Sequence, residues 1–277
     1  LRGVGLWGKL AHLEPIAASL ETVGLVHPRA YIDVIQHACE RGPTLLDSDT
    51  VASPGSWSAA LRAAGAVTQG IDRLVSGTLD AAFCAVRPPG HHALAERAMG
   101  FCLFNNVAIG ARYAQRRHQL DRILIVDWDV HHGNGTQAIF DDDPSVLYFS
   151  THQFPFYPGT GARAERGRGT GFTLNVPLPE GAGDAELVRA FRQELKPRAL
   201  EFKPDLVLIS AGFDAHRDDP LAGLAATEAG YAELTRIVLE IAETCCKGRV
   251  VSVLEGGYNL LALGRSVEAH LRALLEG

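Results

Sequence analysis

The sequence predicts a single-domain α/β protein in which a mostly parallel β-sheet is flanked by helices on both faces. Short apolar segments alternate with longer amphipathic ones along the chain, as expected when each strand is followed by a crossover helix. Two short segments, Arg122 to Trp128 and Asp205 to Ser210, have continuous apolar centres, which is typical of strands covered on both faces. The 277 residues are 47% hydrophobic, with no internal repeat and no linker, so we expect one domain over residues 1–277.

Composition excludes several classes of protein. The net charge of −6 offers no basic surface for direct nucleic-acid binding, and no apolar run approaches the ~20 residues that cross a bilayer. No basic segment is followed by the apolar core of a signal peptide. Four of the five cysteines lie in apolar surroundings and no Cys-x-x-Cys pair occurs, so we expect free thiols in a reducing compartment, the cytoplasm.

The amino-terminal third is predicted to be helical. Leu1 to Glu21 reads as a helix that Pro15 interrupts, and a second helix starts at Pro28 and ends near Arg41. Leu45 to Pro54 is predicted to be a loop. The alanine-rich segment after the cap signal at Ser53 is predicted to be a helix that ends near Ser76.

The remaining chain alternates strands and helices. The predicted strands are Asp80 to Val86, Arg122 to Trp128, Ser145 to Ser150, Gly171 to Val176, Asp205 to Ser210 and Arg249 to Leu254. One predicted helix ends near Arg117. The others span Gly135 to Phe140, Asp184 to Phe202, Thr227 to Cys246 and Leu260 to Leu275. Ala162 to Thr170, rich in Gly and Arg, is expected to be a mobile surface segment.

Residues capable of chemistry follow four of the predicted strands. These exits carry His91-His92, Asp127 to His132, Asp214, and Gly256-Gly257-Tyr258. Because the carboxyl ends of parallel strands share one edge of a sheet, where ligand sites form, we expect all four exits to converge.

Spacing favours a metal site at the exit of the strand Arg122 to Trp128. Extended backbone repeats its side-chain direction every two residues, so Asp127, Asp129 and His131 can face one side. The alternative is a sheet edge with solvated acids and a histidine bonded to backbone. Burying charge beside so apolar a strand is costly without pairing or a metal, which favours the metal site.

Asp129, His131 and Asp214 would supply three protein ligands from two strands and leave a coordination position open, as in a catalytic zinc site. Such a metal polarises a carbonyl and lowers the pKa of its bound water to ~7. The histidine pair follows a rigid Arg-Pro-Pro-Gly exit, and His92 could accept the proton of the water and return one to a leaving amine.

Two further residues complete a candidate amide-hydrolysis site. Asp127 could orient His91 as a carboxylate behind an imidazole does. Tyr258, which follows two glycines, could donate a hydrogen bond to the developing oxyanion.

These motifs closely resemble the histone deacetylase superfamily, and are nearest to class II and bacterial deacetylase-like members. The matching segments are Arg87-Pro-Pro-Gly-His-His, Gly100-Phe-Cys, Asp127-Trp-Asp-Val-His-His-Gly-Asn-Gly-Thr-Gln, Tyr157-Pro-Gly-Thr-Gly, Ser210-Ala-Gly-Phe-Asp-Ala-His and Glu255-Gly-Gly-Tyr. They cover the chain from about Val26 to its end, in family order. The resemblance implies an arginase/deacetylase-like fold and removal of acetyl or other acyl groups from lysine-like amines.

The resemblance also assigns roles to individual residues. It implies one catalytic zinc held by Asp129, His131 and Asp214, with His91 and His92 as the histidine pair and Tyr258 stabilising the transition state. Substrate-tunnel residues would be Gly100, Phe101, Tyr157, Leu221 and Gly257. Structural potassium would lie at one site on Asp127, Asp129, His131, Ser150 and Thr151, and at a second on Phe140, Asp143, Val146 and Phe172.

Three features distinguish this sequence within that family. Asn134 faces the second histidine where class I members carry Asp, as in class II-like members. Tyr258 is Tyr and not His, as in competent deacetylases. We also expect the family's first strand and the loop after it, which helps form the pocket rim, to be missing before Leu1.

Other functions are compatible with these residues. The substrates could be acetylated lysine side chains, acetylpolyamines or other small acetylated amines. An arginase-like binuclear manganese hydrolase shares the fold, and a non-catalytic acyl-lysine binding module would keep the pocket. The sequence indicates no oligomeric state.

Overall fold

A computed structural model describes residues 1–167 and 172–276 and contains a six-stranded parallel sheet, which confirms the predicted fold class. A hairpin separate from the sheet pairs β1 (Thr44–Asp47) with β2 (Thr50–Ala52). The sheet strands are β3 (Ala81–Cys84), β4 (Ile123–Asp127), β5 (Val146–Gln153), β6 (Thr173–Leu178), β7 (Leu206–Ala211) and β8 (Val250–Leu254). Their order in the sheet is β3-β8-β7-β4-β5-β6, so β4 and β7 are central.

Helices cover both faces of the sheet because alternate residues of each strand point to opposite faces. In β4, Leu124 and Val126 join one apolar cluster, whereas Ile123 and Ile125 join another. The helices are α1 (Leu20–Val23), α2 (Arg29–Glu40), α3 (Pro54–Val75), α4 (Asn106–His118), α5 (Asn134–Phe140), α6 (Asp184–Ala190), α7 (Lys196–Phe202), α8 (Glu228–Cys246) and α9 (Leu260–Glu276). Helices α3 and α4 contribute to the Ile123 side and α8 to the Leu124 side.

The predicted helix over Leu1 to Glu21 is wrong. The segment forms a single 3-10 turn, Trp7–Lys9, and becomes helical at α1, where Ser19 accepts a hydrogen bond from Thr22 N. Three glycines in the first eight residues and Pro15 disfavour a continuous helix. Ala18 instead donates its N–H to the Leu61 carbonyl at 2.8 Å, so this part of the segment packs against α3 as extended chain.

The predicted loop over Leu45 to Pro54 is also wrong, because it contains most of the β1–β2 hairpin. The Asp47 carboxylate accepts the Ser48 N–H at 2.7 Å and shapes the turn. Asp49 Oδ1 and Thr50 Oγ1 then accept the backbone N–H groups of Gly100 and Phe101 at 3.1 and 3.0 Å. The hairpin therefore holds a segment that the sequence assigns to the substrate tunnel.

Two other predictions differ in detail. The predicted helix Asp184 to Phe202 contains a five-residue π-helical segment, Phe191–Leu195, between α6 and α7. Of the surface segment predicted for Ala162 to Thr170, residues 168–170 lie outside the described part of the chain, as does residue 171 of the strand predicted to start there. All five cysteines are free thiols. No described helix combines the length and apolarity needed to cross a membrane.

The strand register brings the polar exits to one rim. Asp127, the last residue of β4, is paired with Ser150 of β5 on one side and with Ser210 of β7 on the other. Ser210 is in turn paired with Val253 of β8. The segments that follow β4, β7 and β8 therefore leave the sheet side by side.

A buried histidine connects the amino-terminal helices to this rim. His27 has no exposed surface; its Nδ1 donates to the Ala95 carbonyl and its Nε2 accepts the Asn105 N–H, both at 2.9 Å. Because Nε2 accepts a hydrogen bond, the ring is neutral. Burial, partly offset by the bond to Ala95, lowers the pKa of His27 to about 4.

We expect His27 to make the fold acid-sensitive. The unfolded chain takes up a proton near pH 6.5 and the folded chain only near pH 4, so unfolding becomes easier as pH falls between these values. The contribution of His27 is complete above about pH 6.5, and roughly 3 kcal/mol is lost by pH 4. Urea unfolding of His27→Gln between pH 4 and 7.5 should show a shallower decline than the wild type. The exposed-residue control His12→Gln should keep the full decline; an equal decline in all three proteins would contradict the prediction.

Candidate active site

Three ligand-type side chains converge just past the ends of β4 and β7. One ligand atom each of Asp129, His131 and Asp214 lies within 4.8 Å of the others. Nδ1 of His131 is 3.1 Å from Oδ1 of Asp129 and 3.2 Å from Oδ2 of Asp214. The structure thus brings together the three residues that the sequence assigns to the metal.

The donors of this cluster fit a divalent cation. Asp214 Oδ2 is buried and accepts no hydrogen bond within the described chain, although Nδ1 of His131 lies nearby. Burial and the neighbouring Asp129 raise the pKa of Asp214 above its usual value. A cation among the three side chains would coordinate the free oxygen and offset the repulsion between the carboxylates.

His91 lies behind this cluster in a network of carboxylates. Its Nδ1 donates to Asp127 Oδ2 at 3.1 Å, and its Nε2 is 3.8 Å from Asp129 Oδ1. Burial favours the neutral ring, but Asp127, Asp129 and Glu255 outweigh it and raise the pKa of His91 to about 10. The carboxylates around His91 therefore favour its charged form.

His92 has the opposite electrostatic environment. Its Nδ1 donates to Asn134 Oδ1 at 2.8 Å, which leaves Nε2 without a proton in the neutral ring. Burial, followed by the nearby positive charge of His91, lowers the pKa of His92 well below its usual value. The two pKa shifts have opposite directions, so His92 is the more readily neutral histidine of the pair.

Two glycines allow the backbone to approach these groups. Gly100 has φ +57°, and a Cβ there would lie 2.3 Å from the His92 ring. A Cβ on Gly256 would lie 1.9 Å from Asp214 Oδ2. A side chain at Gly100 would displace the His92 ring, and one at Gly256 would displace the Asp214 carboxylate. The site therefore requires glycine at both positions.

Three of the predicted tunnel residues are exposed and form the rim of the site. Phe101, Tyr157 and Leu221 are 40%, 36% and 47% exposed, whereas the residues beneath them are buried. The Tyr157 ring lies edge-on to His92, with centroids 5.2 Å apart, and the Phe101 ring lies edge-on to Tyr258 at 6.2 Å. Gly257, with φ +137°, precedes Tyr258 in the turn after β8.

Sequence reasoning missed four residues that support the site. Glu255 is buried; its Oε2 accepts the N–H groups of Gly90 and His91 at 2.7 and 3.2 Å, and its Oε1 accepts the Ser210 hydroxyl at 3.0 Å. An acid at the end of an apolar strand is the signal that identified Asp127, and it applies equally to Glu255.

The other three carried no such signal. Tyr148 donates to Asp127 Oδ2 at 3.0 Å, and the Phe156 ring stacks on His131 with centroids 5.5 Å apart. Nδ2 of Asn134 donates to the Met99 sulfur at 3.3 Å, which orients Oδ1 of that amide toward His92. Tyr148 and Met99 resemble ordinary core residues in the sequence.

The residues that the resemblance assigns to potassium lie near the ends of β4 and β5. Thr151 Oγ1 is buried without a hydrogen-bond partner in the described chain. Three of the four carbonyl groups assigned to the second site already accept backbone N–H groups: Phe140 O from Asp143 N at 3.0 Å, Asp143 O from Val146 N at 3.3 Å and Phe172 O from Tyr148 N at 2.8 Å. Potassium at either position stays a prediction.

Comparison with known proteins is consistent with this geometry. A family model described as "Histone deacetylase domain" matches residues 1–274. "Histone deacetylase 10, chloroplastic" of Oryza sativa subsp. japonica is 45% identical over 271 residues, which cover 93% of this chain and 61% of that protein. "Polyamine deacetylase HDAC10" of Homo sapiens is 43% identical over 289 residues, which cover 99% of this chain and 43% of that protein.

A solved structure is similar over almost the whole chain. It is described as "Crystal Structure of HDA15 HD domain", with a TM-score of 0.94 and 40% identity, over 99% of this chain and 78% of that chain. The chain spans about three-fifths of the length of the rice protein and 64% of "Histone deacetylase 14, chloroplastic" of Arabidopsis thaliana.

We expect the ligand cluster to bind one divalent metal ion per chain. Asp214→Asn should reduce metal content strongly, because it removes the negative charge of one of the two carboxylates in a site with three ligands. Elemental analysis of purified protein measures this directly, with Asp218→Asn on the same loop as the matched control. Two stoichiometric metal ions in the wild type would contradict the prediction and favour the arginase-like alternative.

Proposed function

Because the chain belongs to the histone deacetylase family, we propose that it is a zinc-dependent amidohydrolase that removes acetyl or other acyl groups from lysine-like amines. The observation that carries the proposal is the position of a neutral, buried histidine beside a metal-type cluster. The rings of His92 and His131 are 5.8 Å apart, and His92 Nδ1 is already bonded to Asn134. An unprotonated nitrogen next to a metal ligand can serve as the general base for hydrolysis by an activated water.

Zinc bound by Asp129, His131 and Asp214 would polarise the amide carbonyl and acidify a water molecule. Nε2 of His92 would accept a proton from the attacking water and pass a proton to the leaving amine. His91, whose charged form its carboxylates favour, would keep the pKa of His92 low and favour that proton's return.

Tyr258 is proposed as the donor to the developing oxyanion. Burial and the nearby Asp214 and Asp129 raise the pKa of Tyr258, so its hydroxyl keeps its proton near neutral pH. A neutral donor suits this role because the hydrogen bond strengthens as negative charge builds on the carbonyl oxygen.

Acetylated lysine side chains are the substrates that we propose, with acetylpolyamines as the second class. A slender acyl-amine arm suits an approach between the Phe101 and Tyr157 rings to a buried cluster. The human and mouse relatives named polyamine deacetylase, at 43% and 42% identity, support acetylpolyamines as the second class of substrates. We also propose structural potassium at the two sites named above and a reducing compartment, the cytoplasm, which the five free thiols favour.

Turnover separates these functions. Purified protein loaded with zinc should release acetate from an acetyl-lysine reporter, and a panel of acetylated peptides and acetylpolyamines should rank the two substrate classes. Binding of acetyl-lysine peptides without acetate release would support a non-catalytic module instead.

Replacing His92 should remove most of the turnover. His92→Ala deletes the proposed base, and general base removal costs about 10²–10⁴-fold in rate. Zinc content should stay unchanged, because His92 is not one of the three ligands. The control His118→Ala changes a histidine that bonds to Asp72 away from the rim. Near-normal turnover of His92→Ala would place the base elsewhere.

Replacing Tyr258 should slow the reaction more than it weakens binding. Tyr258→Phe removes one hydroxyl and keeps the ring, so we expect kcat to fall about 10²–10³-fold with KM and zinc content little changed. The control Tyr113→Phe removes a hydroxyl that donates to Asp72. Loss of zinc or of thermal stability with unchanged activity per folded molecule would exclude Tyr258 from the site.

A further inference from the structure

A nearly buried carboxylate, Asp219, binds backbone on two sides of the candidate site. The residue is 7% exposed. Its Oδ2 accepts the N–H groups of Tyr258 and Asn259 at 2.7 and 3.3 Å, and its Oδ1 accepts the N–H of Leu221 at 3.0 Å. The Asp219 side chain therefore links the backbone of Tyr258, the proposed oxyanion donor, to the backbone of Leu221 at the rim.

The two segments that Asp219 joins follow neighbouring strands. Asp219 lies in the segment after β7, and Tyr258 lies in the turn between β8 and α9. That turn begins with Gly256 and Gly257. Because glycine allows a wide range of φ and ψ, the turn needs contacts with other segments to hold one conformation. The amino-terminal half of the turn is fixed by Gly256 N, which donates to Asp129 Oδ2 at 2.7 Å. Asp219 fixes the carboxyl-terminal half.

Both oxygens of Asp219 act as acceptors, and this sets a chemical requirement. Hydrogen bonds from backbone N–H groups to a carboxylate are roughly twice as strong as bonds between neutral groups. Asn has the same shape but one acceptor and one donor, so its amide nitrogen would face an N–H of either Leu221 or Tyr258. The arrangement therefore requires the carboxylate.

We propose that Asp219 is a positioning residue that holds the Tyr258 hydroxyl in register with the ligand cluster. The inference rests on the role proposed for Tyr258. Catalytic groups must be held within a fraction of an ångström to keep their effect, because a displaced donor loses its hydrogen bond to the transition state. Asp219 supplies that precision through the main chain, without contact with the reacting atoms.

A double-mutant cycle with zinc-loaded protein tests whether Asp219 acts through Tyr258. Asp219→Asn should lower kcat about tenfold or more in the wild type, but less than about twofold when Tyr258→Phe has already removed the hydroxyl. Any effect that acts through Leu221 would persist in both backgrounds. The matched control is Asp218→Asn, the adjacent acid, whose carboxylate lies at the surface 3.3 Å from Arg265. Equal loss of kcat in both backgrounds would overturn the proposal.

A second variant separates geometry from charge and guards against poor folding of the first. Asp219→Glu keeps the negative charge but moves the carboxylate by one methylene group. The proposal expects a fall in kcat for this variant in the wild type and little further effect in Tyr258→Phe. Unchanged kcat in a folded Asp219→Glu protein would show that charge alone matters, and would also overturn the proposal.

Hydrogen exchange gives a readout that does not depend on activity. In Asp219→Glu, the peptide covering residues 255–261 should exchange at least about tenfold faster, because the displaced carboxylate no longer accepts the N–H groups of Tyr258 and Asn259. A peptide within β4 should exchange as in the wild type. If the wild-type enzyme shows no turnover, the proposed function fails, while unchanged exchange of 255–261 overturns the positioning role by itself.

Discussion

Buried negative charge is the constraint on which the rest of the structure depends. Five buried carboxylates lie at or after the ends of the adjacent strands β4, β7 and β8: Asp127, Asp129, Asp214, Asp219 and Glu255. In an apolar interior a carboxylate is stable only with N–H donors or cations around it. Here the donors are mainly backbone amides of neighbouring strand exits, such as Val130 N on Asp214 and Gly256 N on Asp129. Satisfying each charge therefore fixes the path of another loop.

The same constraint explains why two adjacent histidines differ. His91 lies on the side of the carboxylates, which favour its charged form, whereas His92 meets the neutral amide of Asn134. The rings are 4.0 Å apart, so the charge on His91 disfavours a second charge on His92. A pair that looks equivalent in the sequence thus has one ring whose charged form is favoured and one whose neutral form is favoured.

Outside the buried cluster, hydrogen bonds from backbone N–H groups to side chains position the rim. The β1–β2 hairpin holds the backbone of Gly100 and Phe101, while the loop after β7 holds that of Leu221 and Tyr258. Rim residues are exposed, and their backbones are held by hydrogen bonds to buried or partly buried side chains. The rim is therefore held partly by the hairpin and partly by the loop after β7, which also carries the candidate ligand Asp214.

The sequence alone indicated the parallel sheet, its strands and the candidate ligands, because local periodicity marks the apolar strands and the candidate ligands follow these strands closely in the chain. The extended two-residue repeat expected from Asp127 to His131 is wrong, because β4 ends at Asp127 and residues 129–131 form a bend. Sequence reasoning also failed over Leu1 to Glu21 and Leu45 to Pro54, where contacts with α3 and with Gly100 outweigh local preference. The partners of the site were decided only by tertiary structure. Tyr148, Met99 and Asp219 reach Asp127, Asn134 and Tyr258 from 21, 35 and 39 residues away. Such pairs leave no periodic trace in the sequence, because they depend on strand order and on where each loop leaves the sheet.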